Sequence, residues 1–257
     1  MNQEILSHVV VYKNRFKDID KTYSFFKSLN KNSDLIEDFK FNDNSYGWAT
    51  ETYMFSSLYK DFIDKDNSDF FTEIIKIRKD TMDDYVKKYC KSEIWPIDIE
   101  KLYPFKDPSL HSVFSVIKTF HNPGSTIVRH PFFHLDGIPE PKNEYDRNHI
   151  ITTMIYLNDD YEFGEIKFYS KEEGFVYYKP EAGDVIVFPS FYPFYHNPNM
   201  PLGENRYAIR SSYDESIKNS LMINNQIKFE DYIDKMDYDL YKNNTTKVKY
   251  INGKDLN

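Results

Sequence analysis

The sequence predicts a mainly β protein with flanking α-helices, and two features indicate this class. Between residues 109 and 214, short runs rich in Val, Ile, Tyr and Phe follow one another, split by turn residues. About eight closely spaced runs of this kind are typical of a β-sandwich or jelly roll. The predicted strands are 112–120, 127–135, 150–157, 165–170, 174–179, 184–188, 193–197 and 205–213.

The segments on either side of this core differ from it in composition and in hydrophobic periodicity. Residues 5–12 are predicted to form an early strand, and a helical period begins at Phe16. Residues 30–67 are rich in Asn, Asp and Ser and are interpreted as irregular. The clearest predicted helix is 68–90, with one apolar face, and a further helix is predicted at 228–241.

No Gly- or Ser-rich linker interrupts the chain, so a single domain of 257 residues is predicted. It divides into a helical and irregular N-terminal flank at 1–108, a β core at 109–214 and a tail with a helix at 215–257.

Composition and charge argue against several classes of protein. Aromatic residues make up 18% of the chain, which excludes disorder as the main state. The formal net charge is −8 and no dense basic run is present, so general nucleic-acid binding is not expected. No apolar stretch reaches ~18 residues, so no membrane span is expected.

The cell compartment is predicted from the cysteine content and the N-terminus. Cys90 is the only cysteine, so no intrachain disulfide can form, which fits a reducing compartment. The first ten residues, MNQEILSHVV, lack a basic segment followed by a long apolar run, so no signal peptide is predicted. A cytoplasmic protein is therefore expected.

The segment Phe133-His134-Leu135-Asp136 carries the strongest chemical signal. Strand side chains two positions apart point the same way, so His134 and Asp136 can both reach one ion. Such a pair also occurs by chance as a surface His beside a solvated carboxylate. His196 supplies a third candidate ligand, and two His with one carboxylate form the facial triad of non-haem Fe(II) oxygenases.

A candidate anchor for a dicarboxylate follows the distal histidine. Arg206 stands ten residues after His196, on the next predicted strand. A fixed guanidinium there can hold the far carboxylate of a diacid whose other end binds the metal.

These residues and their setting resemble the 2-oxoglutarate/Fe(II)-dependent dioxygenase superfamily, and within it the prolyl-hydroxylase-like branch. The resemblance spans roughly residues 112–213, and the motifs agree with the branch in order and spacing. The matching motifs are His134-Leu135-Asp136, Tyr156-Leu157-Asn158, Asp159 to Glu165, Pro180-Glu-Ala-Gly183-Asp184 running to Phe188-Pro189, His196, and Gly203-Glu-Asn-Arg206-Tyr207.

The resemblance implies a double-stranded β-helix that uses Fe(II), 2-oxoglutarate and O2, with ascorbate as an assay additive. By the same resemblance, His134, Asp136 and His196 are the metal ligands. Arg206 is expected to anchor the C5 carboxylate of 2-oxoglutarate, and Tyr156 to be a second donor to it.

The sequence also departs from the branch pattern. Branch members often carry a Tyr on the strand before the H-x-D motif, where this chain has 118–121, Lys-Thr-Phe-His. Arg210 lies on the same strand face as Arg206, four residues along, and competes with it as the anchor. Tyr195, Arg210 and His130 are candidate contacts to substrate or cosubstrate.

The substrate class remains open at this stage because a fold does not define it. The branch signature favours hydroxylation of a peptide or amino-acid-like small molecule, a prolyl residue included. The alternatives are a non-catalytic jelly-roll module, in which the triad is vestigial or binds a structural ion, and a cupin-like isomerase or sugar-binding barrel. The sequence gives no prediction of the oligomeric state.

Overall fold

The computed structural model of the chain describes most of the predicted core and parts of its flanks. The described residues are 2–30, 32, 38–44, 48–54, 68–91, 115–121, 136, 147–170, 173–190, 194–216 and 248–256. The predicted strand 127–135 and the predicted helix 228–241 lie outside them.

Strands dominate the described residues. In chain order they are β1 (Asn2–Leu6), β2 (Val9–Tyr12), β3 (Asp38–Asn44), β4 (Trp48–Met54), β5 (Ser115–His121), β6 (Arg147–Tyr156), β7 (Tyr161–Phe163), β8 (Ile166–Ser170), β9 (Gly174–Lys179), β10 (Val185–Pro189), β11 (His196–Pro198), β12 (Pro201–Gly203), β13 (Arg206–Ser216) and β14 (Val248–Asn252). Two helices accompany them, α1 (Ile19–Ser28) and α2 (Ser68–Tyr89).

The strands form one large and one small sheet. The large sheet has eight strands in the order β1-β2-β10-β6-β13-β5-β4-β3, and the small sheet has the order β11-β8-β9-β14. A separate pair joins β12 to β7. The sheets face each other through Phe168 of β8 and Phe188 of β10, whose ring centroids are 5.2 Å apart. The mainly β class is therefore confirmed, as a jelly-roll-like sandwich with few helices.

The burial pattern of individual strands follows from their position in the sandwich. Residues of β9 alternate between buried and half-buried, as expected for a strand with one face towards the core. All five residues of β10 are buried, because this strand lies inside the large sheet between β2 and β6.

The N-terminal flank contributes more strand than the sequence predicted. The expected single strand at 5–12 is a hairpin, in which β1 and β2 pair on either side of a turn where His8 has a φ of 62°. The interpretation of 30–67 as irregular is wrong for β3 and β4, which form one edge of the large sheet. Composition misled here because β3 is rich in Asn and Asp; β3 gains its pairing from β4, and β4 from β5.

The two helices agree with the sequence prediction. The Asp18 side chain accepts a hydrogen bond from the backbone N–H of Lys21 and so caps α1. Helix α2 buries Ile74, Ile77 and Tyr85 within the core cluster. Neither helix in the described part of the chain is long and apolar enough to cross a membrane.

Candidate functional site

Two of the three predicted metal ligands come together between the sheets. The Oδ2 atom of Asp136 lies 3.7 Å from Nε2 of His196; the His196 side chain is buried, and that of Asp136 is 9% exposed. Protein ligands hold an ion at ~2.1 Å, so one ion can contact two atoms up to ~4.2 Å apart. The pair therefore fits a metal ion, and the third predicted ligand, His134, lies outside the described residues.

The position of His196 is set by the small sheet and by aromatic packing. His196 begins β11 and stands opposite Phe168 of β8. Its ring centroid is 4.8 Å from that of Phe188, in a T-shaped contact. The two phenylalanines hold the imidazole against the large sheet, where Asp136 lies.

Asp136 is held by two donors that the sequence analysis did not single out for this role. The Thr152 hydroxyl donates to Oδ2 at 2.6 Å, and it lies 2.7 Å from the Ser190 hydroxyl. The Arg210 guanidinium contacts Oδ1 at 2.8 Å. Such partners orient a ligating carboxylate, and their loss typically weakens metal binding.

Strand register places the predicted cosubstrate residues on the same face as Thr152. In the antiparallel pair of β13 and β6, Ala208 stands opposite Tyr156 and Ser212 stands opposite Thr152. Opposed residues share a face, and so do residues two apart on one strand. This alternation therefore brings one set of side chains to the interior face of the large sheet: Thr152, Tyr156, Arg206 and Arg210.

Arg206 occupies the buried end of this row. Its side chain is 5% exposed, and Nη1 donates to the carbonyl oxygens of Gly164 at 3.0 Å and Asn199 at 2.9 Å. The Nη2 atom lies 3.5 Å from the hydroxyl of Thr119, which stands opposite Arg206 on β5. The two carbonyl groups thus fix the Nη1 side of the Arg206 guanidinium, which has further N–H donors.

Arg210 occupies the more open end of the row. Its side chain is 31% exposed, six times the exposed fraction of Arg206. The two cations therefore differ in setting: one is buried among carbonyl groups, and the other touches the predicted metal ligand Asp136. The structure thus shows that Arg206 and Arg210 lie in different environments, whereas their functional roles remain predictions.

Two buried phenols lie close enough to the Arg206 guanidinium for its charge to affect their pKa values. Burial raises the pKa of Tyr156 to about 12, while the positive charge of Arg206 opposes the rise. Burial also raises the pKa of Tyr161, again against the charge of Arg206. Among the described residues the Tyr161 hydroxyl has no hydrogen-bond partner, although it is buried. A buried cation beside an unpartnered phenol fits a polar ligand such as a carboxylate.

The remaining predicted contacts are only partly described. Tyr195 is buried, and its carbonyl accepts a hydrogen bond from the backbone N–H of Tyr169 at 3.3 Å. His130 lies outside the described residues. Whether Tyr195 contacts a substrate is therefore still a prediction.

Sequence reasoning missed Thr152, Ser190 and the two carbonyl groups that hold Arg206. The position of Thr152 was accessible in principle, because it precedes Tyr156 by four residues on one strand and so shares its face. The carbonyl groups of Gly164 and Asn199 carry no side-chain signal, and only the fold reveals them.

Comparison with known sequences adds no family assignment. No protein-family model matches the chain, and no curated protein matches it either.

Comparison with solved structures identifies the fold. A prolyl hydroxylase from Trichoplax adhaerens, solved with a peptide of hypoxia-inducible factor, is similar with a TM-score of 0.52 at 13% identity, covering 84% of this chain and 87% of that one. The dioxygenase for auxin oxidation 1 from Arabidopsis thaliana, solved with 2-oxoglutarate, gives a TM-score of 0.51 at 12% identity, over 80% and 82%. The chain thus has a jelly-roll-like fold similar to that of these oxygenases.

Proposed function

We propose that this protein is a non-haem Fe(II) dioxygenase that couples the oxidative decarboxylation of 2-oxoglutarate to the hydroxylation of a substrate. The single observation that carries the proposal is the buried approach of Asp136 to His196, 3.7 Å apart. The shared interior face with Arg206 and the fold likeness to such oxygenases support it. The core is then a double-stranded β-helix, and residues 1–257 act as one domain.

The metal would be held by His134, Asp136 and His196. Fe(II) bound there, with 2-oxoglutarate and O2, supplies the oxidising chemistry, and the protein supplies orientation and exclusion of water. The residues of the chain do the positioning: Thr152 and Arg210 orient the Asp136 carboxylate, and the Phe188 ring packs on the imidazole of His196.

The cosubstrate would be held by Arg206 and Tyr156. A guanidinium stays charged and donates paired hydrogen bonds to a carboxylate, which suits a dicarboxylate held by a metal at its other end. Arg206 keeps Nη2 near Thr119 while Nη1 is fixed by carbonyl groups. The Tyr156 hydroxyl, kept protonated by its raised pKa, can donate a second hydrogen bond.

The substrate would be a peptide or an amino-acid-like small molecule, a prolyl residue included. The Trichoplax relative in fold was solved with a peptide, and this chain carries the branch motifs at His134 and Arg206. Arg210, Tyr195 and His130 are the proposed contacts to substrate or cosubstrate.

A succinate-release screen with Fe(II), ascorbate and 2-oxoglutarate tests this function, using proline-containing peptides and free amino acids as substrates. His196→Ala should abolish turnover while the protein stays folded. His149→Ala is the matched control, because its ring pairs with Ser212 and belongs to no proposed ligand set. Full activity in His196→Ala contradicts the assignment.

The alternative is a non-catalytic metal-binding module related to cupins, because the approach of Asp136 to His196 would also suit a structural ion. The two functions separate in one measurement: a binding module retains a metal ion but shows no binding of 2-oxoglutarate and no release of succinate.

A further inference from the structure

Glu165 and Asn199 form a buried pair that holds both carbonyl groups bound to Arg206. The Asn199 backbone N–H donates to the Glu165 carbonyl at 2.6 Å, and its side-chain Nδ2 donates to Glu165 Oε2 at 2.8 Å. Glu165 follows Gly164 directly, so the bonds that fix Glu165 also fix the Gly164 carbonyl. Both side chains are 6% exposed.

The backbone conformation at Gly164 requires glycine. Its φ is +73°, and a Cβ added there would lie 2.6 Å from a ring carbon of Tyr161. The chain therefore turns tightly against the Tyr161 ring and directs the Gly164 carbonyl at Nη1 of Arg206.

The C-terminal strand β14 adds a further hydrogen bond to the pair of Glu165 and Asn199. Tyr250 of β14 donates its hydroxyl to Glu165 Oε1 at 3.0 Å, and its ring stacks on Tyr177 of β9. Strand β14 runs parallel to β9, which places Tyr250 opposite Tyr177. A continuous row of hydrogen bonds thus runs from Tyr250 through Glu165 and Asn199 to Arg206.

We propose that Tyr250, Glu165 and Asn199, here called the Arg206 clamp, are positioning residues for the cosubstrate anchor. Through the clamp, a strand more than forty residues beyond Arg206 in sequence sets the affinity for the 2-oxoglutarate carboxylate. This inference rests on the proposed function, because it assumes that Arg206 binds that carboxylate.

The clamp determines which N–H groups of Arg206 are already bonded and how the guanidinium is oriented. The clamp satisfies Nη1 with two carbonyl oxygens, so the rest of the fork keeps one orientation. A bidentate contact depends on the plane of the guanidinium, and a preorganised group loses less entropy on binding. A loosened clamp lets the guanidinium rotate, which weakens carboxylate binding without changing the metal ligands.

The test compares two Tyr→Phe substitutions by calorimetric titration of 2-oxoglutarate into Mn(II)-loaded protein. Tyr250→Phe removes the hydroxyl that bonds Glu165 and keeps the stacked ring. Because Tyr250 is exposed and water replaces part of the lost bond, the 2-oxoglutarate Kd should rise about three- to tenfold, as for loss of one ordinary hydrogen bond. Tyr177→Phe is the control, since its hydroxyl bonds none of the residues described. Its Kd should equal that of the wild type, and the Mn(II) Kd should be the same in all three proteins.

A second pair of variants separates positioning from general loss of structure. Glu165→Gln can still accept from Asn199 and pair with Tyr250, so it should retain 2-oxoglutarate affinity, whereas Glu165→Leu should lose it. In an Arg206→Lys background, Tyr250→Phe should cause no further rise in Kd, because the group it positions is gone.

The outcomes distinguish the inference from the proposed function. Wild-type protein that binds no 2-oxoglutarate, or an Arg206→Lys protein with unchanged Kd, overturns the assigned anchor and the clamp with it. A raised Kd in Arg206→Lys combined with an unchanged Kd in Tyr250→Phe overturns the clamp alone.

Discussion

At the residue scale, Arg206 and Arg210 show how one strand face can carry two cations with different surroundings. Arg206 is buried among carbonyl groups, while Arg210 is half-buried against Asp136. Their spacing of four residues predicts a shared face, and the register confirms it. Which carbonyl or carboxylate each one meets depends on segments far away in sequence, so spacing alone does not separate their roles.

Arg206→Ala should raise the 2-oxoglutarate Kd by two orders of magnitude or more. Removing one partner of a buried charge pair costs ~3–5 kcal/mol, and each ~1.4 kcal/mol is tenfold in Kd. Titration of the Mn(II)-loaded protein measures the change. The competing anchor is tested by Arg210→Ala: a steep rise in that variant alone would assign the carboxylate to Arg210.

Thr152→Val should weaken metal binding about 10- to 100-fold, because Asp136 loses the hydroxyl that donates to its Oδ2 atom. The substitution keeps the shape of the side chain. Thr153→Val is the matched control: that hydroxyl is also buried but has no partner among the described residues. Equal Mn(II) affinities of the two variants would show that Thr152 does not orient the ligand.

At the element scale, the N-terminal strand β2 is tied to the core by a buried ion pair. The Lys13 ammonium, just after β2, lies 2.8 Å from Asp184 Oδ1 and 2.9 Å from the carbonyl of Gly253. The Tyr178 hydroxyl donates to the other oxygen of Asp184. The sequence could not show that Asp184 has a partner 171 residues away in the N-terminal flank.

Lys13→Met should therefore destabilise the fold by ~3–5 kcal/mol, because it leaves the buried Asp184 carboxylate without its cation. Lys79→Met is the control, since Lys79 pairs with Asp83 on the exposed surface of α2, where such pairs contribute at most ~1 kcal/mol. Urea unfolding followed by circular dichroism measures both. Equal midpoints for the two variants would contradict a stabilising role for the buried pair.

At the scale of the whole molecule, the sequence predicted the central strands of the sandwich better than the strands at its edges. The alternation and turn signals of β8 and β9 are local, and the structure confirms these strands within a residue or so. Strands β3 and β14 were missed because the flanking segments that contain them are polar overall, although β3 alternates Phe with polar residues; they are held by pairing with β4 and β9. The approach of Asp136 to His196 was predicted from the motifs of the sequence, whereas the clamp around Arg206 is made by tertiary contacts.

The clamp also makes the stability of the whole protein depend on pH. Burial alone would raise the pKa of Glu165, but hydrogen bonds from Asn199, the backbone and Tyr250, together with Lys179, outweigh it and hold the pKa below its usual value of 4.5. An acid with a lowered pKa in the folded state stabilises the fold above its unfolded pKa. That contribution is lost as the pH falls below 4.5 through the folded value.

Glu165→Gln removes this titration, so its free energy of unfolding should fall less steeply than that of the wild type as the pH is lowered from about 5 to about 3. Urea unfolding at each pH gives both curves. Glu173→Gln, at an exposed turn before β9, is the matched loss of one charge and should keep the wild-type slope. Parallel unfolding curves for Glu165→Gln and the wild type would mean that Glu165 is not held ionised by Asn199 and Tyr250.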